Sequence, residues 1–301
     1  MNDVILNKQF GIKDIVIFNK EDNEELTFIN INNTFGTAKI SLYGAQILSY
    51  IPKGQQDVLW LSPKTAFKQG KAIRGGIPLC FPWFGPHVTD KTKPQHGFAR
   101  TSNWQVQSIN QQDNGATKVV LMLEQSDDSL ALWPYCFNAI VEFEIGDSLK
   151  VSFIVTNTDH QKFEYSDALH TYFNISNIDD IKIDGFDNAT YYEAFGNELL
   201  LQSTFALHPG EENNRRYVNH TTETVIIDPG FNRTIHADKA GSKVTVVWNP
   251  GLVTSQKIGD MHPEGYKNFI CAEPANAYAG VDMIELEPGK SFTLSTTIMV
   301  K

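Results

Sequence analysis

Cysteine is scarce in this sequence: the 301 residues contain three, Cys80, Cys136 and Cys271, at unrelated spacings. An odd and scattered set does not support a disulfide framework, and it lacks the paired spacing of a structural zinc site. No apolar run is long enough to cross a bilayer, and residues 1–8 lack the basic region and apolar stretch of a signal peptide. We therefore expect a cytoplasmic protein without a membrane-spanning segment.

Positive charge is also in short supply, because 25 Lys and Arg residues face 35 Asp and Glu residues, which leaves a net charge of −10. A nucleic-acid surface normally needs a basic face, so we expect no nucleic-acid partner. Low-complexity runs, charge blocks and Ser/Gly-rich hinges are missing as well. These absences predict a single domain over residues 1–301, and we expect a monomer that binds a small molecule.

Apolar residues at helical spacing are rare, and only residues 63–68 and 126–133 could form a turn or two of helix. Short alternating or β-branched runs recur instead, separated by turn signals such as Asp228-Pro229-Gly230 and Asn249-Pro250-Gly251. The predicted strands cover residues 14–18, 26–31, 37–42, 104–109, 118–123, 137–145, 149–156, 162–172, 181–184, 224–227, 242–248, 268–272 and 291–300. We therefore predict an all-β fold, a large antiparallel β-sandwich with few short helices.

One stretch, residues 72–86 with its continuation at 94–100, is too rich in glycine and proline to be a helix or a central strand. It nevertheless carries four large aromatic residues, Phe81, Trp83, Phe84 and Phe98. Residues 61–100 contain seven basic residues and one acidic residue, a net charge of +6 in an acidic chain. We predict an ordered loop that forms the wall of a binding site, where the guanidinium groups of Arg74 and Arg100 bind an anion.

Three side chains in apolar strand-like runs could belong to this site. A lone histidine such as His170 is more often a hydrogen-bonded core residue than a catalytic one. Glu273 precedes Pro274 at the end of an apolar run, so we expect its carboxylate where the chain leaves the sheet. Trp248 lies on a predicted strand and is interpreted as a core residue.

An acid, a base and an anion clamp could be formed by His96, His170, Glu273, Arg74 and Arg100. Two other chemistries stay open. Cys271 would share a strand face with Glu273 and could form a Cys–His nucleophile with His170, although nothing else indicates acyl transfer. His96, His170 and Glu273 could instead ligate zinc or iron, without the short spacing of a metal motif.

Five motifs follow one another along most of the chain. They read Arg74-Gly75-Gly76-Ile77-Pro78 with Phe81-Pro82-Trp83-Phe84-Gly85, then His96-Gly97-Phe98-Ala99-Arg100, Leu169-His170-Thr171-Tyr172-Phe173, Trp248-Asn249-Pro250, and Glu273 followed by Ala275-Asn276. In this order they resemble the motifs of the glucose-6-phosphate 1-epimerases, or hexose-6-phosphate mutarotases, within the aldose 1-epimerase group. The resemblance implies a galactose-mutarotase-like supersandwich, in agreement with the all-β prediction.

The resemblance also implies roles at the matching positions, with Glu273 as the general base and His170 as the general acid. The implied substrate-binding residues are Arg74, Gln95, His96, Arg100, Asn214 and Asp260, of which the two arginines line the sugar-phosphate site. Asn214 departs from the family pattern, which has an aspartate there. An amide bonds to hydroxyl groups without carrying a charge, so we expect sugar affinity or sugar choice to differ.

The implied reaction interconverts the α and β anomers of a hexose 6-phosphate, with glucose 6-phosphate as the expected substrate. Glu273 would remove the proton of the C1 hydroxyl while His170 protonates the ring oxygen, and the opened aldehyde would close on its other face. This chemistry needs no metal and no other cofactor. Two alternatives stay open: an aldose 1-epimerase of unphosphorylated sugar, which the local charge disfavours, and a sugar-phosphate-binding protein without catalysis.

Overall fold

A computed structural model describes residues 2–20, 25–193, 196, 198–205, 207, 210–277 and 282–301. Short strands dominate this part of the chain. In chain order they are β1 (Val16–Asn19), β2 (Phe28–Asn33), β3 (Gly36–Ser41), β4 (Gln46–Pro52), β5 (Leu79–Cys80), β6 (Gln105–Gln111), β7 (Thr117–Glu124), β8 (Phe137–Ile145), β9 (Leu149–Asn157), β10 (Phe163–Tyr165), β11 (Asp167–Leu169), β12 (Tyr172–Asn174), β13 (Lys182–Asp184), β14 (Thr190–Glu193), β15 (Leu200–Leu201), β16 (Asn213–Val218), β17 (Thr224–Asp228), β18 (Arg233–Ala240), β19 (Val244–Asn249), β20 (Phe269–Asn276), β21 (Ile284–Leu286) and β22 (Ser291–Val300). The helices are α1 (Asp3–Phe10), α2 (Asp127–Leu132) and α3 (Gly251–Ser255), with 3₁₀ turns at Ala99–Thr101 and Gly265–Asn268.

Within the described residues the strands form two eight-stranded sheets, one four-stranded sheet and one two-stranded sheet. The first eight-stranded sheet, termed the site sheet, has the order β15-β14-β16-β19-β20-β11-β5, and β12 also pairs with β20. The second, termed the back sheet, has the order β13-β17-β18-β22-β9-β8-β7-β6. β1 to β4 pair in chain order, and β10 pairs with β21. The strand pairings are antiparallel, which confirms the prediction of an antiparallel all-β fold.

Strict alternation of side chains builds the back sheet. On β8 the buried residues are Phe137, Ala139, Val141, Phe143 and Ile145, and the residues between them are half-buried. β8 pairs with β9 in continuous register, from Phe137 opposite Asn157 to Ile145 opposite Leu149. Each large apolar side chain buried in this way stabilises the fold by roughly 1.5–3 kcal/mol.

Phe81 anchors the glycine- and proline-rich loop in the core of the molecule. Its ring is fully buried and lies 5.3–5.5 Å, centroid to centroid, from the rings of Trp133, Phe137, Phe153 and Tyr165. Edge-to-face contacts of this kind add roughly 0.5–1.5 kcal/mol each beyond area burial. The loop is therefore ordered by its own aromatic residues, as its composition predicts.

Two glycines hold the loop against neighbouring backbone. Gly75 and Gly76 have φ of +116° and +62°, and an added Cβ would lie 2.3 Å from the carbonyl oxygen of Trp60 and 2.1 Å from that of Ile47. The Gly76 N–H donates to the Trp60 carbonyl at 2.7 Å. Arg74, the preceding residue, is thus carried on backbone that has little freedom to move.

The predicted strand at residues 162–172 is divided in the structure into β10, β11 and β12. At the first break the Ser166 N–H donates to the Pro82 carbonyl, and the Ser166 hydroxyl accepts from the Phe84 N–H. At the second break the His170 N–H donates to the Pro78 carbonyl at 3.0 Å. Both breaks arise from hydrogen bonds to the loop, and side-chain periodicity carries no signal for such bonds.

The helix predictions are right in part. Residues 126–133 contain α2, which begins at a capping box formed by Ser126 and Ser129. Residues 63–68 form no helix, and α1 was not predicted although Asn2 caps it through a bond from the Val4 N–H. None of the helices in the described ranges is both long enough and apolar enough to cross a membrane.

Candidate active site

A cavity of about 630 Å³ opens over one face of the site sheet. Alternate residues of neighbouring strands form its floor. Arg216 on β16 pairs with Val246 on β19, which pairs with Glu273 on β20, and two residues further along Asn214 pairs with Trp248. Side chains at such positions point to the same face of a sheet, and the loop that contains Arg74 and Arg100 forms a wall above them.

Glu273 lies inside β20 and not at its end, because the strand continues through Pro274 to Asn276. The expectation that this carboxylate stands where the chain leaves the sheet is therefore wrong. On the side that faces β11 and β12, the strand pairing of β20 is interrupted between Ala275, which pairs with β11, and Cys271, which pairs with β12. Pro274 is tolerated in β20 because strand pairing is already absent on that side. The interruption leaves room beside Glu273 for the side chain of His170.

His170 and Glu273 form a buried pair at the base of the cavity. Their side chains are 9% and 1% exposed, and 3.3 Å separates His170 Nδ1 from Glu273 Oε1. Burial raises the pKa of Glu273 well above its usual value. Burial, together with the charges of Arg100 and Arg74, lowers the pKa of His170 to about 3. These directions favour a neutral pair that shares one proton, carried by the carboxyl group.

His96 adds a second imidazole to the cavity in a backbone conformation with φ of +63°. Its Nδ1 accepts a hydrogen bond from the Gly85 N–H at 3.2 Å and lies 3.3 Å from the sulfur of Cys80. Burial lowers the pKa of His96 well below its usual value, so the ring is neutral. With Nδ1 as the acceptor, the proton is on Nε2, and that atom can donate a hydrogen bond.

The two loop arginines are held in place by different partners. Arg74 Nε donates to Asp260 Oδ1 at 2.6 Å, and both side chains stay partly exposed. Arg100 Nη2 donates to the carbonyl of Gln95 at 2.7 Å. Both arginines line the cavity, and these hydrogen bonds orient their guanidinium groups before any ligand binds.

The structure brings seven of the eight residues implied by the resemblance to one cavity. They are Arg74, Gln95, His96, Arg100, His170, Asn214 and Glu273. Asp260 does not line the cavity and reaches the site through its ion pair with Arg74.

Several lining residues were not predicted. Trp248, interpreted as core, is half-buried and lines the cavity with its ring perpendicular to that of His170. Tyr172 and Arg216 also line the cavity. The pair Asn214 and Arg216 could have been found by the period-2 rule, since residues i and i+2 on a strand share a face. The other residues could not be predicted, because the sequence does not show which face of the site sheet is covered and which face lines the cavity.

The sequence leaves two alternative chemistries open: a Cys–His nucleophile formed by Cys271 with His170, and a metal site formed by His96, His170 and Glu273. Among the described residues, the possible metal-ligand atoms that lie within 4.8 Å of one another belong to His170, Cys271 and Glu273, and the predicted ligand His96 is not part of this group. The thiol is fully buried, and burial together with Glu273 raises its pKa well above the usual value. A thiol kept neutral is a weak nucleophile and a weak metal ligand, so acid–base chemistry by His170 and Glu273 fits the arrangement better.

Comparison with known proteins identifies the family. A family model described as aldose 1-epimerase matches residues 27–299. The chain belongs to the aldose 1-epimerase family. It is therefore an epimerase of the mutarotase type, an isomerase that interconverts sugar anomers.

Relatives of this epimerase match nearly its whole length. A protein of Salmonella typhimurium named as a candidate glucose-6-phosphate 1-epimerase is 33% identical, with 98% of this chain and 99% of the relative covered. One of Escherichia coli K12 with the same name is 34% identical, with 87% of each chain covered. The crystal structure of a candidate mutarotase from Salmonella typhimurium superposes with a TM-score of 0.88 at 30% identity, covering 98% of this chain and 99% of that one. The likeness confirms the predicted galactose-mutarotase-like fold.

Proposed function

We propose that this epimerase interconverts the α and β anomers of a hexose 6-phosphate, with glucose 6-phosphate as its substrate. The observation that carries the proposal is that the buried pair His170 and Glu273 shares one cavity with Arg74 and Arg100. The names of the relatives from Salmonella typhimurium and Escherichia coli agree with this substrate.

The pair supplies the proton transfers of ring opening. Ionised Glu273 takes the proton of the C1 hydroxyl while protonated His170 gives one to the ring oxygen, and the C1–O5 bond breaks. Rotation about C1–C2 presents the other face of the aldehyde. Protonated Glu273 then returns a proton to O1 while neutral His170 takes the one on O5, and the ring closes as the other anomer.

The pair needs one proton in total at every stage of this cycle. The state favoured by burial, neutral His170 with protonated Glu273, has the same proton count as the ion pair that begins ring opening. A shift of one proton between the two groups converts one state into the other, so no proton has to enter from solvent.

The cations of the loop supply the selectivity for phosphate. Arg74 and Arg100 can each bind a phosphate group through two N–H donors, and Lys91 lines the same cavity. Phosphate binding remote from C1 would position the reacting end of the sugar. Trp248 presents an aromatic surface on the floor, against which a sugar ring can pack.

A substrate panel tests the proposal. We expect kcat/KM for glucose 6-phosphate to exceed that for glucose and galactose by at least about 100-fold, the effect of two charged hydrogen bonds. Arg100→Gln should lower kcat/KM for glucose 6-phosphate far more than that for free glucose, and so remove most of this preference. Lys68→Gln is the control for net charge, because Lys68 belongs to the same basic stretch, is exposed and does not line the cavity. Equal activity of the wild type on free and phosphorylated sugar would contradict the proposal.

A further inference from the structure

Tyr172 connects the arginine side of the cavity with the acid–base pair. Arg74 Nη1 donates to the Tyr172 hydroxyl at 3.4 Å, while Arg74 Nε donates to Asp260. The other end of the contact is aromatic: the rings of Tyr172 and His170 are stacked, 4.8 Å apart and within 6° of parallel. A continuous set of contacts therefore runs from Asp260 through Arg74 and Tyr172 to His170.

Tyr172 has little freedom to move independently of these partners. It is 3% exposed, and its ring also stacks on that of Trp60, with 5.8 Å between the ring centroids and 21° between the ring planes. Its N–H donates to the Gly76 carbonyl, and its carbonyl accepts from the Trp60 N–H, both at 2.9 Å. The loop that carries Arg74 and the ring that supports His170 are thus joined through side chain and backbone. If anion binding displaced the Arg74 guanidinium, the Tyr172 ring would shift with it and change the position of the His170 imidazole.

We propose that Tyr172 is a positioning residue that transmits oxyanion binding at Arg74 to His170, so that a phosphate group accelerates ring opening even when it is not attached to the sugar. The inference rests on the proposed function, and it adds a defined route from the phosphate to the acid–base pair. The ligand class is a small tetrahedral oxyanion, bound beside an unphosphorylated aldose.

The charges of the two arginines give a second reason to expect that a bound anion favours ring opening. The positive charges of Arg100 and Arg74 disfavour the imidazolium form of His170. An anion bound at these arginines offsets their charge and makes it easier for His170 to hold the proton that it gives to the ring oxygen. This electrostatic effect acts through space and does not need the Tyr172 hydroxyl. A substitution of Tyr172 therefore removes the contact route and leaves the electrostatic effect in place.

The test is activation of free glucose by inorganic phosphite, measured as anomer exchange by NMR. In the wild type we expect a saturable rise in kcat/KM for glucose with phosphite concentration. Tyr172→Phe keeps the aromatic stack but removes the hydroxyl that Arg74 contacts, and we expect it to lower the phosphite activation by about fivefold, the effect of one weak hydrogen bond. Tyr172→Leu, which also loses the stack, should lower it further.

Tyr165→Phe is the matched control, because Tyr165 is equally buried but lies off the cavity, and its hydroxyl has no hydrogen-bond partner within the part of the chain that is described. Its phosphite activation should equal that of the wild type. Thermal unfolding of each variant shows whether the fold is retained.

The outcomes distinguish the inference from the proposed function. If the wild type does not prefer glucose 6-phosphate to glucose, the proposed function fails. If that preference is present but phosphite does not activate glucose, or activates Tyr172→Phe as strongly as the wild type, the inference alone fails. An equal loss in Tyr172→Phe with and without phosphite would show a merely structural role and also overturn it.

Discussion

At the scale of single residues, the proposed chemistry depends on two groups whose pKa values burial moves in opposite directions. Burial raises the pKa of Glu273 and lowers that of His170 to about 3. If the two groups titrated independently with their ordinary pKa values of 4.5 and 6.5, ionised Glu273 and protonated His170 would coexist mainly between pH 4.5 and pH 6.5. The buried pair keeps its single proton over a much wider range of pH.

This difference gives a pH prediction. Because the folded pKa of His170 is lowered, a second proton enters the pair only as the pH falls toward 3, and because that of Glu273 is raised, the single proton is lost only well above 4.5. We expect kcat/KM to stay level at pH 4.5 and below, down toward pH 3, and to fall only well above pH 4.5. The measurement uses free glucose, since a phosphate ester titrates near pH 6, with the uncatalysed rate subtracted at each pH. A maximum confined between 4.5 and 6.5 would contradict the paired arrangement.

Residue identity could be predicted further than residue geometry. The motifs around Arg74, His96, His170 and Glu273 indicate a site through their resemblance to a known family, and the structure brings these four residues to one cavity. The tautomer of His96 could not be predicted, since it depends on the N–H of Gly85, eleven residues away along a folded loop. The ion pair that Asp260 forms with Arg74 spans 186 residues, and no local pattern records it.

At the scale of elements, the proposed acid–base pair lies where strand pairing is interrupted. β20 pairs with β11 on one side of the gap and with β12 on the other, and His170 lies between these two short strands. The interruption was not predicted, because residues 162–172 read as one strand from their apolar pattern. Hydrogen bonds from Ser166 and His170 to the loop override that pattern.

β11 also contains a second buried acid, which gives a prediction on stability. Asp167 is 1% exposed, and its Oδ1 accepts from Asn276 Nδ2 at 2.9 Å across the β11–β20 pairing. Burial raises its pKa from 3.8 to about 7. Between these values the carboxyl ionises in the unfolded chain but not in the folded one, so wild-type stability falls as the pH rises from about 4 to 7.

Asp167→Asn removes this titration while it keeps a neutral polar group at the same place. We expect the free energy of unfolding of the variant to exceed that of the wild type at pH 8 by up to about 4 kcal/mol, and the gain to shrink toward pH 4. Denaturant unfolding at both pH values measures the difference. A gain or loss of equal size at the two pH values would show that Asp167 does not ionise on unfolding in this way.

At the scale of the whole molecule, charge and fold together support the function. The chain has a net charge of −10, yet the loop region from 61 to 100 carries +6 and forms a wall of the cavity. Composition predicted this concentration of positive charge, and the strand pattern predicted the all-β sandwich. The order of strands in the site sheet could not be predicted, because pairs such as β5 with β11 join segments far apart in the chain. The cavity exists only through those pairings.

The measurement that tests the central claim most directly is anomer exchange of glucose 6-phosphate by NMR, with the wild type and Glu273→Gln compared. The amide is nearly isosteric with the carboxyl group but cannot take the proton of the C1 hydroxyl, so we expect exchange to fall at least about 100-fold. Asp184→Asn, at an exposed carboxylate on β13, is the matched control and should keep wild-type exchange. Near-normal exchange by a folded Glu273→Gln protein would contradict the assignment of Glu273 as the base.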